Sequence, residues 1–137
     1  MATARLDAYI FHPGNCMEAM TFYKSVFGGE IEVMPMSSIL SSSPEVADKI
    51  MHAHLKGGII DLMGSDGDGT RTEAYTQGAV TISITGSKEE ELRETFQKLS
   101  EGGKIDQEFA MMPWGDLFAG LTDKFGIDWI FNINPQA

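Results

Sequence analysis

One cysteine in 137 residues leaves Cys16 no partner for an intrachain disulfide. Basic residues are also scarce. Ten Lys and Arg face twenty Asp and Glu, and a net charge of -10 with an isoelectric point near 4.6 provides no basic face for nucleic acid or for an anionic membrane surface. No apolar run approaches the roughly eighteen residues a membrane helix needs. The polar start, Met1 to Asp7, lacks the cationic and apolar stretches of a signal peptide, which predicts a cytoplasmic protein. Apolar residues, by contrast, make up 42% of the chain, enough for a core, and the length fits one domain spanning residues 1–137. The nine methionines read mostly as flexible core filler.

The chain repeats a pattern. Leu6 to Phe11 reads as a strand, about Cys16 to Phe27 as a helix, and Gly28-Gly29 as its stop before the β-rich run Glu30 to Met36. Ala79 to Thr85, about Lys88 to Glu101, Gly102-Gly103 and Lys104 to Met111 follow the same order. Neither half of such a repeat buries its apolar face alone, so two modules, about 1–66 and 77–135, are expected to pair around a shared hollow. Asn15 with Glu18, and Ser87 with Glu90, have the form of helix N-termini. The charged remainder of the second helix reads as a solvated face.

Between the copies, Ser37 to Asp48 and Gly64 to Gln77 read as polar loops, of a length often found as lids over sites. The run Asp66-Gly67-Asp68-Gly69 suggests calcium, but an EF-hand starting at Asp66 requires Gly sixth and Glu twelfth, where Arg71 and Gln77 stand. A flexible surface loop is expected instead.

Met51 to Leu55 and Ile59 to Met63 flank Gly57-Gly58, a two-residue hairpin turn that would set His54 opposite Asp61. Alternation then puts Ala53, Leu55, Ile60 and Leu62 on an apolar face and His52, His54, Asp61 and Met63 on a mixed one. By the same rule Val80, Ile82 and Ile84 face the helices, with Thr81, Ser83 and Thr85 opposite. Trp129, Phe131 and Ile133 also face the helices, with Asp128, Ile130 and Asn132 opposite. A sheet greasy on one side and mixed on the other fits a cup with helices outside. His54 with Asp61 is either a His-carboxylate pair for proton transfer or ligand binding, or a cross-strand pair that stabilises the hairpin. His12 reads as a surface turn residue and Cys16 as a small buried side chain, with a thiol activated by the helix dipole as the alternative. Trp114 either stacks on a ligand at the cup's mouth or packs in the core.

Several segments together resemble a known superfamily. They are Ala19-Met20-Thr21-Phe22-Tyr23, Phe27-Gly28-Gly29-Glu30, Ile50-Met51-His52-Ala53, Asp61-Leu62-Met63, Trp114-Gly115-Asp116, and the run from Thr122 to Trp129. In that order they are similar to the vicinal-oxygen-chelate proteins (glyoxalase I, bleomycin-resistance proteins, extradiol dioxygenases), and within them to the PhnB-like group, sometimes labelled 3-demethylubiquinone 3-methyltransferase-like. The resemblance implies an α+β fold of two βαβββ modules, a cup-shaped mixed sheet with helices outside, commonly completed in a homodimer. Metal-dependent members take a ligand from the first and last strand of each module, and those places hold Ala8, Asp61, Ala79 and Ile130 here. One carboxylate does not hold a catalytic metal, so no metal and no other cofactor is expected. A His52, His54 and Asp61 set for non-haem iron is the rival. No glycine-rich turn for an adenosyl cofactor is present. The expected function is metal-free binding of a small molecule by His52, His54, Asp61, Thr81, Ser83 and Trp114. The alternatives are an isomerase- or lyase-like reaction through His54 and Asp61, or partner binding through the Ser37 to Asp48 loop.

Overall fold

The computed structural model describes residues 4–38, 43–75 and 79–135. Two compact units divide the chain, Met1–Tyr75 and Thr76–Ala137. Of the Ser-rich run 37–48, residues 39–42 lie outside the described residues, as do the loop residues Thr76 and Gln77.

Unit 1 runs β1 (Ala8–Phe11), α1 (Cys16–Phe27), β2 (Glu30–Pro35), β3 (Ile50–Lys56) and β4 (Leu62–Ser65), with 3-10 turns at Met36–Ser38 and Pro44–Val46. Its four strands form one mixed sheet in the order β1-β4-β3-β2, in which β1 lies parallel to β4 and the other neighbours are antiparallel. Helix α1 packs on β3, β2 and β4. It presents Cys16, Ala19, Met20, Tyr23, Val26 and Phe27 to a face holding Ala53, Leu55 and Leu62.

Unit 2 repeats the plan with β5 (Ile82–Gly86), α2 (Glu89–Ser100), β6 (Lys104–Met111), β7 (Leu117–Thr122) and β8 (Asp128–Ile133). Its sheet order is β5-β8-β7-β6, again with the first and last strands parallel. Leu92, Phe96 and Leu99 of α2 are buried, as are Ala119, Leu121, Trp129, Phe131 and Ile133 of the sheet. Phe96 lies edge-on to Phe131 at 5.3 Å between ring centroids. Each such side chain contributes about 1.5–3 kcal/mol by leaving water, which is why period-2 and period-3.6 patterns meet in one core. Two four-stranded mixed sheets with one helix each make this an α+β fold. No helix among the described residues is long and apolar enough to cross a membrane.

The structure corrects several local expectations. The β3–β4 register pairs His54 with Met63 and Leu55 with Leu62, two residues away from the expected pairing of His54 with Asp61. Residues 57–61 form a longer connection because Gly58 seats against the carbonyls of Phe27 and Gly28, where a Cβ would stand 2.6 Å from both oxygens. The Ile59 N–H also donates to Phe27 O at 3.3 Å, so the turn docks on the end of α1 rather than closing tightly. The slip is an even number of residues, so each strand keeps its faces. Strand β5 begins at Ile82, leaving Val80 83% exposed and Thr81 in coil.

Neither expected side-chain cap forms, on Asn15 or at the start of α2. The Cys16 N–H donates instead to Oδ1 of Asp66 at 2.8 Å, while Oδ2 of the same carboxylate accepts the Ile50 N–H at 2.9 Å. Asp66 is thus buried and joins the start of α1 to the start of β3, where a flexible surface residue was expected. A carboxylate at a helix N-terminus also meets the positive end of the helix dipole.

Candidate functional site

The pleat of unit 1 gathers a second set of side chains on the face opposite α1. Register places Tyr9 beside Met63, Met63 beside His54, and His54 beside Glu32, a row crossing all four strands. His52 stands two residues from His54 and is paired with Met34. Phe11 lies two residues from Tyr9, with ring centroids 5.4 Å apart.

Two polar links organise this face. Tyr9 Oη lies 2.9 Å from Nδ1 of His52, with ring centroids 5.5 Å apart; when the His52 proton resides on Nε2, the phenol donates. Arg5 forms the other link. It donates from Nε to Asp7 at 2.8 Å and from Nη2 to Asp61 Oδ2 at 3.1 Å, and these neighbours, Asp7 foremost, raise its pKa. Nε2 of His54 stands 3.9 Å from Asp61 Oδ1, beyond hydrogen-bond reach, and is a buried nitrogen with no hydrogen-bond partner. The expected pair is therefore brought together in space but not bonded. At the edge, Lys56 pairs with Glu32 and holds its carboxyl below the usual range.

Arg5 and Tyr9 are members of this face that sequence reading missed. The alternation of Tyr9 and Phe11 around buried Ile10 was a usable signal for Tyr9. Nothing in spacing couples Arg5 to a residue 56 positions away. His12, expected at the surface, is 2% exposed and lies 6.5 Å from the Tyr23 ring, because its N–H extends the β1–β4 ladder by donating to Ser65 O. Cys16 is fully buried, and desolvation, aided by the Asp66 carboxylate, pushes its thiol up to about 12. That environment suppresses the thiolate that an activated cysteine requires.

In unit 2, Ser83 and Thr85 are exposed on the sheet face opposite Ile84, beside Ile130 and Asn132 of β8. Asn132 donates to Asp116 at 2.7 Å and accepts from Trp114 Nε1 at 3.4 Å. Trp114 is 62% exposed and edge-on to Phe118, so it does not pack in the core. Chemically, the unit 1 face offers imidazole, phenol and thioether surface for stacking and hydrogen bonding, whereas the unit 2 face offers hydroxyls, an amide and an indole. Among the described residues no three His, Cys, Asp or Glu side chains converge to hold a metal ion. The two-histidine-one-carboxylate set does not assemble, since His52 Nδ1 is engaged by Tyr9 and Asp61 by Arg5.

A family model described as 3-demethylubiquinone-9 3-methyltransferase matches residues 5–131. The chain is similar to protein PA1353 from Pseudomonas aeruginosa, with 31% identity, 96% of this chain and 98% of that one covered, and a TM-score of 0.81. It is similar also to the PhnB protein from Bacillus cereus, at 26% identity, 95% and 99% coverage and a TM-score of 0.70. A glyoxylase/bleomycin resistance protein/dioxygenase domain from Frankia sp. EAN1pec shares the fold alone, at 14% identity, 100% and 96% coverage and a TM-score of 0.64.

Proposed function

The chain belongs to the family described as 3-demethylubiquinone-9 3-methyltransferase, a PhnB-like branch of the glyoxalase/bleomycin-resistance/dioxygenase superfamily, and from that premise we propose that it binds a small molecule on the mixed face of unit 1 without a metal. The observation that carries this reading is the unsatisfied Nε2 of His54 among half-exposed rings. A buried nitrogen without a partner costs about 1–3 kcal/mol, and a ligand group reaching it recovers that energy. Tyr9, His52, Asp61 and Met63 supply the remaining contacts on that face; on unit 2, taken by itself, Thr81, Ser83 and Trp114 are the proposed binding residues. The chain works, in this reading, as one cytoplasmic domain of two modules within a homodimer.

Methyl transfer, which the family description names, is not part of the proposal. The β1–α1 connection His12-Pro13-Gly14-Asn15 has one glycine, and the Cys16 N–H at the helix start is already taken by Asp66. That turn does not fit an adenosyl cofactor.

The test is a fragment screen on the purified chain, read by NMR of the imidazole groups and backed by native mass spectrometry for retained small molecules. Binding should move the His52 and His54 signals saturably, and a screen without such movement would refute the proposal. A second reading, proton transfer in an isomerase- or lyase-like reaction, draws on the 3.9 Å approach of Asp61 to His54. His54→Ala separates the two: loss of turnover with binding intact identifies catalysis, and loss of binding identifies a receptor.

A further inference from the structure

A cavity of about 520 Å³ lies beyond the end of β1, lined by Phe11, Gly67, Asp68, Thr70, Arg71 and Tyr75. It continues the mixed face through ring contacts: Tyr9 lies 5.4 Å from Phe11, and Phe11 lies 6.4 Å from Tyr75 at 49°. Arg71 stacks its guanidinium 3.9 Å above the Tyr75 ring. The same guanidinium donates from Nε to Glu73 O at 2.9 Å and from Nη2 to Ala74 O at 3.3 Å. Two of the five Arg71 N–H donors are therefore committed to shaping the wall, and one face of its guanidinium is covered by the Tyr75 ring. Phe11 nonetheless stays 52% exposed and Tyr75 36% exposed. Exposed rings in a concave site are where planar ligands gain most, because stacking adds to the removal of apolar area from water.

The polar end of the cavity is an acceptor. Asp68 receives both the N–H and the hydroxyl of Thr70 on the same oxygen, Oδ1, at 2.9 and 2.6 Å. Asp68 also accepts from its own backbone N–H, and as an exposed carboxylate it keeps lone pairs for a donor from outside. The two Thr70 bonds, the hydroxyl foremost, lower the Asp68 pKa, so the group is an anion at neutral pH and accepts only.

We propose that this cavity is the ring subsite of the ligand: it takes a planar aromatic or heteroaromatic molecule bearing an N–H or O–H donor, stacked on Phe11 and Tyr75 and hydrogen-bonded to Asp68. The inference rests on the small-molecule reading of the adjoining histidine face and supplies the chemical class of its ligand. Aromatic carboxylates are rejected by Asp68 in an acidic chain, and saturated amines lose the stacking.

The test titrates the full chain with 2-aminoquinoline, quinoline-2-carboxylate and decahydroquinoline, following backbone amides by NMR. The expected result is saturable movement of Phe11, Gly67, Asp68 and Tyr75 with 2-aminoquinoline, and affinity about tenfold weaker for each of the other two probes. Phe11→Leu and Tyr75→Leu should each weaken 2-aminoquinoline about tenfold with amide dispersion retained. The wild-type probe series decides the matter even where one variant fails to fold. Equal affinity for the carboxylate or the saturated amine overturns the proposed class, and absence of saturable movement in residues 66–75 overturns the subsite. Movement confined to His52 and His54 would overturn the subsite while leaving the small-molecule reading of that face intact.

Discussion

The two units share strand order, helix length and the parallel pairing of first and last strands, yet each holds its loops with a differently placed aspartate. Asp66 of unit 1 joins backbone groups far apart in sequence, Cys16 and Ile50. Asp123 of unit 2 is as deeply buried but acts locally, accepting from the N–H groups of Phe125 and Ile127 on one oxygen and from Trp129 Nε1 on the other. Their open faces differ as well: His52 and His54 stand on that of unit 1, and Trp114 on that of unit 2. The backbone plan repeats because it satisfies the same burial requirement twice, whereas the side chains facing away from the helices are released from that requirement and have diverged.

The largest expected effect tests the contrast between the two staples. Asp66→Ala strands two buried N–H groups and should cost about 4 kcal/mol in urea unfolding, since each lost acceptor costs about 1–3 kcal/mol. Asp123→Ala should cost less, about 2 kcal/mol, because the Phe125 and Ile127 N–H groups are only part-buried and can turn to water, which leaves the buried Trp129 Nε1 as the stranded donor. Equal losses would end the distinction between long-range and local roles.

A smaller effect probes what the units share. A Cβ on Gly29 would stand 2.5 Å from Lys56 O, and one on Gly103 would collide with Thr122 O. The second glycine of each Gly-Gly pair thus admits a neighbouring strand end against the chain. Gly29→Ala and Gly103→Ala should each destabilise by about 2 kcal/mol in thermal or urea unfolding, in step with one another. A harmless substitution in one unit would show that the repeat is looser there.

Cys16 belongs to unit 1, and residues 88–91, opening α2, include no cysteine, so the thiol contribution to alkaline stability should come from one unit. Its thiol is raised from 9.0 to about 12. Below pH 9 both folded and unfolded states keep the proton and stability is flat. Between 9 and 12 the unfolded state gives it up first, so the unfolding midpoint should fall as pH rises, and Cys16→Ala should remove that slope. At pH 9 the folded chain carries far less thiolate than an unperturbed thiol, and alkylation should slow accordingly. The smallest effect is on the surface of α2: Glu89→Gln breaks the 2.8 Å pair with Arg93 and should cost about 0.3 kcal/mol, lost in high salt.

Fold was legible where burial imposes a period. The bounds of α1 follow from its apolar stripe and Gly28, and the segregation of Trp129, Phe131 and Ile133 from Asp128, Ile130 and Asn132 follows from the pleat. Register was not legible, because the β3–β4 turn is set by contact with the carbonyls at the end of α1, a tertiary event. The expected cap on α1 failed for the same reason. A distant carboxylate outcompeted the local Asn15, and sequence spacing carries no trace of a partner fifty residues away. At the site, alternation placed His52 and His54 on one face. It did not reveal that Asp61 would turn to Arg5, or that Tyr9 would claim His52.

The parallel pairing of β1 with β4, and of β5 with β8, has a consequence for biosynthesis. A module whose opening strand waits for its closing strand remains an incomplete sheet until nearly all of it has left the ribosome. Residues 8–11 must stay unpaired until residues 62–65 emerge. The first module can then complete its sheet while the second is still being made, so a stall well into the second module should leave the first resistant to protease, whereas a stall near residue 55 should not.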